Sequence, residues 1–424
     1  MGENGWWTAV VERMAAYQRA NPANLPGAVL AVETAGTAGP QVAAVGAGWT
    51  ADTICTLASM SKTFTAAAVL LALEDNGSLD VDAPVAEFAG MEPFASDPVK
   101  KRITVRHLLQ HTSGMPLYLP YGAPPEAFRP PRNPPDIWPE GPGTLGPTVR
   151  WRGSPGDTNE SVSLGGDRRP ARTATLDEVS SFVMRTYPLL HEPGAEYTYS
   201  SANHVVAGRL VERLTGQSPN VYLRRRLFRP LGMRDSFFVA QPPGDPELRR
   251  RIDEGVTREQ RDRVAPLSLI THDGRWPPEI APGAGGGWDR LRRGWRYVFP
   301  EGGMYSTAAD LLRFLRLLRD GGRCGAATVL SPAVTRLLTA DQGFASTMGL
   351  GFRSTTTPYG QGPGTLDHLG NLMTYFWYDP RPGDPLLGVF LSQRLANAVL
   401  RNNMADGMRA IFREFVPAVY RERG

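Results

Sequence analysis

The sequence predicts a mixed α/β fold of the α+β type, with one sheet assembled from both ends of the chain and a block of helices inserted between them. Three observations carry that expectation. Strand-like apolar segments cluster near the two termini. Helix-like segments fill the middle. The 424 residues, 41% hydrophobic and 21% charged, have the composition of a globular protein and the length of about two to three domains.

Taken in order, residues 5–20 read as an amphipathic helix with Trp6, Trp7, Val10, Val11 and Met14 along one side. GAVLAVE (27–33) and QVAAVGAGW (41–49), separated by Gly and Pro, read as a strand hairpin. AAAVLLALEDNG (66–77), TVRHLLQHTSG (104–114), ANHVVAGRLVERLTG (202–216) and TAADLLRFLRLLRDGG (307–322) read as helices. The last opens on a capping-box pair, Thr307 with Asp310, and stops at Gly321 and Gly322. TMGLGF (347–352), LMTYFWYD (372–379) and PLLGVFLSQ (385–393) are strand-like, and a closing helix pattern runs over 396–415. These segments place a discontinuous sheet domain at 1–58 plus 340–424 and a helical domain at 59–339.

Two stretches have no periodicity. Residues 116–170 hold 13 of the 38 prolines, and residues 262–300 are rich in Gly, Arg and Trp. Trp138, Trp151, Trp276, Trp288 and Trp295 fall within them, which is odd for plain linkers, so both are expected to be ordered covers over a pocket.

Charge and composition exclude several classes. The 46 basic and 42 acidic residues are interspersed and leave a net charge of only +4. The runs Arg224 to Arg226 and Arg290 to Arg296 read as solvated helix faces rather than a polyanion site, so no nucleic-acid partner is expected. No apolar run reaches the length that spans a bilayer, and no membrane partner is expected. The start of the chain has no basic region followed by an apolar core, so a cytoplasmic location is the expectation. Cys55 and Cys324 make neither a disulfide framework nor a zinc site, and Cys55 reads as a small buried apolar residue. His107 and His111 are four apart on the expected helix, but no third ligand accompanies them locally. A structural pair is expected, and no metal or cofactor.

The chemistry lies in Ser59-Met60-Ser61-Lys62. Among the 46 basic residues only Lys62, Lys100 and Lys101 are lysines, and lysine, unlike arginine, can give up its proton when buried. On a helix Ser59 and Lys62 share a face, so the amine could reach the hydroxyl and act as the base a serine nucleophile needs. Ser59 would also start that helix, where the dipole favours developing negative charge.

The order Ser-x-x-Lys, then Tyr199-Ser200-Ser201, then His368-Leu369-Gly370 resembles the serine β-lactamase and penicillin-binding-protein superfamily. The resemblance is closest to its class C β-lactamase-like branch with the family VIII esterases and related transacylases. It extends over LASMSKTFTAAAVLLALEDNGSLDVDAPV, ITVRHLLQHTSGM, PGAEYTYSSANHVVAGRLVERLTG, RPLGMRDSFF, EGGMYSTAADLLRFLRLL and LDHLGNLMTYFWYDP. The implied fold is a central antiparallel sheet flanked by helices with an inserted all-helical domain.

The resemblance also assigns roles. Ser59 matches the acylated nucleophile and Lys62 its partner base. Tyr199 matches the tyrosine that shuttles the proton between nucleophile and leaving group, with Tyr197 a nearby competitor. Ser201 stands where the family more often has the asparagine that holds an acyl amide, which fits an ester or a different amide. His368 replaces the lysine of true class C β-lactamases and reduces the fixed charge available to a substrate carboxylate. The Asn371 N–H would face the Ser59 N–H to form the oxyanion hole. The implied activity is that of a serine acyl-enzyme hydrolase acting on a small-molecule acyl donor. The alternatives are a transacylase or peptide cyclase with an amine or alcohol acceptor, a β-lactamase or D,D-peptidase, and a non-catalytic binding protein on the same scaffold.

Overall fold

The computed structural model describes residues 5–115, 161–164, 167–170, 175–186, 188–238, 256–266, 268–270, 298–341, 348–355, 359–370, 372–396 and 403–422. The greater part of both aperiodic stretches, with their five tryptophans, and Asn371 lie outside these residues.

The main sheet has six antiparallel strands. The first two are β1 (Ala28–Thr34) and β2 (Gln41–Val45). The other four are β6 (Arg353–Thr355), β7 (Thr365–Gly370), β8 (Thr374–Asp379) and β9 (Leu386–Ser392). Their spatial order is β6-β7-β8-β9-β1-β2, so the two ends of the chain meet between β9 and β1, with Ala28 opposite Ser392 and Thr34 opposite Leu386. Every residue of β1 is buried, which is why residues 28–32 read as an apolar run rather than an alternation.

Each face of the sheet has its own cover. Leu30, Val32, Trp377 and Phe390 pack with Val10 and Met14 of α1 (Gly5–Ala20) and with Phe412, Phe415 and Val416 of α7 (Asn403–Arg421). Val29, Ala31, Phe376 and Val389 face the larger core, which contains α6 (Ala308–Arg319). The alternation of Val29 and Ala31 with Leu30 and Val32 is the period-2 pattern of a strand with a core on both sides.

The larger core is built on α2 (Ser61–Asp75), of which 13 residues are buried. Its Ala, Leu and Val surround the helix on all sides, the pattern of a central helix. Phe64 joins α2 to its neighbours, with ring centroids 4.5 Å from Phe314 of α6, 6.0 Å from Phe228 and 6.4 Å from Phe376 of β8. Truncating such a ring costs about 3–5 kcal/mol. α5 (Ser201–Thr215) lies against α2 and ends at Gly216 in a left-handed conformation.

A second, small sheet carries the chain into α2. Cys55–Thr56 (β3) and Phe237–Phe238 (β4) both pair with Met304–Ser306 (β5).

The structure departs from the sequence expectations at several places. The helix expected over 104–114 is only α3 (Val105–Leu109). His107 accepts the Thr104 N–H and so caps this helix, whereas His111 has φ +62° and lies beyond its end. The two histidines therefore do not share a helix face. Of the strand expected at 347–352, Thr347 lies outside the described residues and the rest forms a turn closed by the Gly349 N–H on Phe352 O, with the strand beginning at Arg353. The closing helix runs later than expected, over Asn403–Arg421. At α6, Thr307 accepts the Asp310 N–H, but the Asp310 carboxylate does not complete the box. It is drawn away to the Asp235 N–H, the Ser236 hydroxyl and Arg313.

Candidate active site

Ser59 sits where β3 turns into α2. It does not begin the α-helix, as expected, but lies in a single 3-10 turn, Ala58–Met60, that precedes it. The Leu57 N–H donates to Met304 O at 2.8 Å, and Gln393 bonds both the N–H and the carbonyl of Thr56. Ala58 then takes φ +50°, a left-handed conformation that an alanine adopts only under constraint. Strain of this kind is common where a chain must present a reactive side chain.

Three side chains of α2 bind the segment 300–304. Ser61 Oγ accepts the Met304 N–H at 3.0 Å, Thr65 Oγ1 donates to Pro300 O at 2.7 Å, and Lys62 Nζ donates to Glu301 O at 2.6 Å. Lys62 is 2% exposed and also donates to Ser59 Oγ at 3.2 Å. The 3-10 turn leading into α2 thus still brings Ser59 and Lys62 together.

Tyr199 reaches the same oxygen from the segment that leads into α5. It stands two residues before α5, and its hydroxyl donates to Ser59 Oγ at 2.7 Å. Lys62 Nζ lies 5.0 Å from the centroid of its ring. Tyr197, the nearby competitor, has its ring 6.0 Å from that of His111. Ser201 opens α5 and is half-buried.

The third motif lies on β7. The end of this strand is pressed against the Ser59 turn. A Cβ on Gly370 would meet Leu57 O at 2.2 Å and Thr374 Oγ1 at 2.4 Å, and Thr374 donates to Leu57 O at 2.8 Å. Asn371 itself falls outside the described residues. His368 is 4% exposed; its Nδ1 lies 3.0 Å from Leu369 O, and its Nε2 has no hydrogen-bond partner among the described residues. Burial, and then the nearby charges of Arg353 and Lys62, push its pKa down to about 3. The residue is therefore a neutral imidazole at ordinary pH.

Below it, Asp367 is fully buried and accepts from Arg353 at 2.7 Å and from the Tyr375 hydroxyl at 2.8 Å, while Gln361 donates to that hydroxyl. This buried network fixes the strand that carries His368.

Sequence reasoning misses His111, Asn203 and Glu301. His111 backs the ring of Tyr199, with centroids 4.6 Å apart, and burial drives its pKa and that of His204 well down. Its position within HTSG was the available signal. The Glu301 contact is through a backbone carbonyl, which has no sequence signature. Cys55 is buried, and burial pushes its thiol pKa far up, as befits an inert side chain. Among the described residues no cluster of three or more His, Cys, Asp or Glu could hold a metal, and no helix is long and apolar enough to cross a membrane.

The site thus brings a buried lysine and a tyrosine onto the oxygen of one serine, on a turn between sheet and helix. The chain belongs to the Beta-lactamase family, whose profile matches residues 11–411. An uncharacterized protein of Mycobacterium tuberculosis is 28% identical over 304 residues, covering 69% of this chain and 60% of that one. Esterase EstB of Burkholderia gladioli is 29% identical, covering 63% of this chain and 57% of its own. The match thus spans about 60% of the length of these relatives. Other relatives include a lovastatin esterase, a monacolin J acid methylbutanoyltransferase and a penicillin-binding protein. Among solved structures, EstCE1, a hydrolase with promiscuous acyltransferase activity, has a TM-score of 0.64 at 20% identity, covering 96% of this chain and 99% of its own. At that identity the likeness is one of fold, and it makes the fold β-lactamase-like.

Proposed function

We propose that the protein is a serine acyl-enzyme hydrolase acting on an ester or amide of a small molecule. One observation carries the reading: Ser59 Oγ receives hydrogen bonds from both Tyr199 and Lys62. In the reaction, Oγ attacks the substrate carbonyl carbon while its proton passes to whichever of the two partners is unprotonated. The negative charge that builds on the carbonyl oxygen is taken up by the N–H groups of Ser59 and Asn371. Removing one donor of such a pair costs about 2.7–4 kcal/mol of transition-state stabilisation. The same Tyr199–Lys62 pair then returns the proton to the leaving group, and water resolves the acyl-enzyme in the reverse sequence.

The neutral His368 bears on the substrate. It offers no ion pair to a carboxylate, and Ser201 offers no carboxamide to an acyl amide. Both features support an uncharged ester, or an amide without a carboxylate, over a β-lactam or a D,D-peptide. Transfer to an amine or alcohol is the second reading, supported by the methylbutanoyltransferase among the relatives.

Intact-protein mass after brief exposure to p-nitrophenyl butyrate tests the proposal. One acyl increment on the wild type and none on Ser59→Ala is expected. An increment that persists in Ser59→Ala overturns the assignment. Faster loss of the acyl group on adding amines, with formation of the amide, would turn the reading from hydrolase to transferase.

A further inference from the structure

Tyr199 lies in a stretch, 188–200, without helix or strand, so no regular ladder fixes its hydroxyl on Ser59. The turn that follows α3 supplies the missing support. The Leu190, Gly194 and Thr198 N–H groups donate to Gly114 O, Thr112 O and His111 O at 2.8, 2.7 and 2.8 Å. Gly114 is required here, because a Cβ on it would meet His191 O at 2.2 Å.

His111 holds the residues on either side of Tyr199. Its carbonyl oxygen accepts the Thr198 N–H, and its Nδ1 accepts the Ser200 N–H at 3.0 Å. The backbone at this histidine is left-handed, φ +62°, where its carbonyl meets Thr198 and its imidazole meets Ser200. Asn203 Nδ2 lies 3.3 Å from the same Nδ1, and its Oδ1 accepts the Ser113 hydroxyl at 2.5 Å. Because Nδ1 accepts, the ring hydrogen belongs on Nε2. The ring itself is sandwiched, 4.6 Å from Tyr199 and 5.0 Å from His204, at tilts of 33° and 35°.

We propose that His111 is a positioning residue for the acyl-transfer reaction: by accepting the N–H groups on both sides of Tyr199 and backing its ring, it holds the tyrosine hydroxyl on Ser59 Oγ. This rests on the function proposed above. His111 touches neither Ser59 nor a substrate, and its effect on the reaction runs through Tyr199.

Two substitutions separate this from a packing role. His111→Gly relieves the left-handed backbone but removes the acceptor and the ring. His111→Asn tolerates the same backbone, and its carbonyl oxygen can take over the Ser200 N–H. With p-nitrophenyl butyrate, His111→Gly is expected to lose about 100-fold in kcat with little change in KM, the scale of an ångström-level misplacement of a reacting group. His111→Asn is expected to recover most of that loss. A His111→Gly protein that has a lowered Tm but wild-type kcat overturns the proposal, as does a His111→Asn protein as impaired as His111→Gly. If His111→Gly does not fold, Asn203→Ala gives the same readout: kcat falls with KM unchanged, and an unchanged kcat overturns the proposal. Tyr199→Phe is run beside them. If it is as active as the wild type, Tyr199 has no part in the proton transfer and this inference fails, while the functional reading itself stands or falls with Ser59→Ala. If it is crippled while His111→Gly is not, only the positioning role fails.

Discussion

Tyr199→Phe is the sharpest perturbation of the site, because it removes one oxygen and leaves the ring. The ring keeps its packing against His111 at 4.6 Å and its place 5.0 Å from Lys62 Nζ. What goes is the 2.7 Å hydrogen bond to Ser59 Oγ, leaving that oxygen the longer 3.2 Å contact from Lys62. A half-buried hydrogen bond is worth about 0.5–1.5 kcal/mol to stability, so Tm should fall by only a few degrees. If the hydroxyl carries the proton in both halves of the reaction, kcat/KM should fall about 10²- to 10⁴-fold, equivalent to about 2.7–5.4 kcal/mol in the barrier. The catalytic loss thus exceeds the stability loss several-fold. Steady-state hydrolysis of p-nitrophenyl butyrate and a thermal melt on the same preparation give both numbers. Tyr197→Phe, run as a control, should keep wild-type turnover. If Tyr199→Phe stays within about tenfold of wild type, the hydroxyl is not the proton carrier, since positioned acid–base groups contribute more than that.

Two further outcomes follow from the same geometry. Gly370→Ala forces a Cβ to within 2.2 Å of Leu57 O; overpacking of this kind costs about 1–3 kcal/mol, and Ser59 acylation should slow with the lowered Tm. Unchanged acylation at a lowered Tm would show that the strand end does not shape the site. The second outcome concerns acid. His111, His204 and His368 are held neutral by burial, while in the unfolded chain histidines titrate near 6.5. Their contribution to stability is complete above that pH and is lost as pH falls below it. Glu212, pushed up to about 7 by burial, opposes one of the three. Unfolding should therefore take up protons below about pH 6, and stability should fall as the pH drops through that range. Urea midpoints across pH 5 to 7 read this directly, and a flat profile would show that the histidines are not neutral in the fold.

How far the sequence could be read depended on how local each signal was. Strands β1, β8 and β9 and helices α2, α5 and α6 are legible because their apolar periodicity is set by the core each one faces. The helix expected over 104–114 failed because periodicity alone does not register a backbone reversal: Leu108 and Leu109 continue the apolar pattern, but His111 turns left-handed to meet the chain before Tyr199. Ser59 and Lys62 were legible as a pair because three residues separate them, and a 3-10 turn running into a helix keeps such residues close. That Tyr199 meets them is a contact across 140 residues, which no local spacing encodes, so only a family resemblance could suggest it. The neutrality of His368 was not legible at all, since it follows from burial among residues remote in sequence.

The pairing of β1 with β9 also constrains how the molecule can be made. Ser392 donates to Gly27 O across 365 residues. During synthesis at about 5–20 residues per second, β1 waits roughly 20–70 s for the partner that covers its edge. Until then the hairpin with β2 pairs one edge of β1, and the N–H and C=O groups of its other edge wait unpaired. The sheet is thus a late event, and a ribosome-bound chain stopped before residue 386 should leave residues 28–34 open to protease that spares them in the finished protein. Protection of that segment in the stalled chain would mean that another part of the molecule shields the strand while it waits.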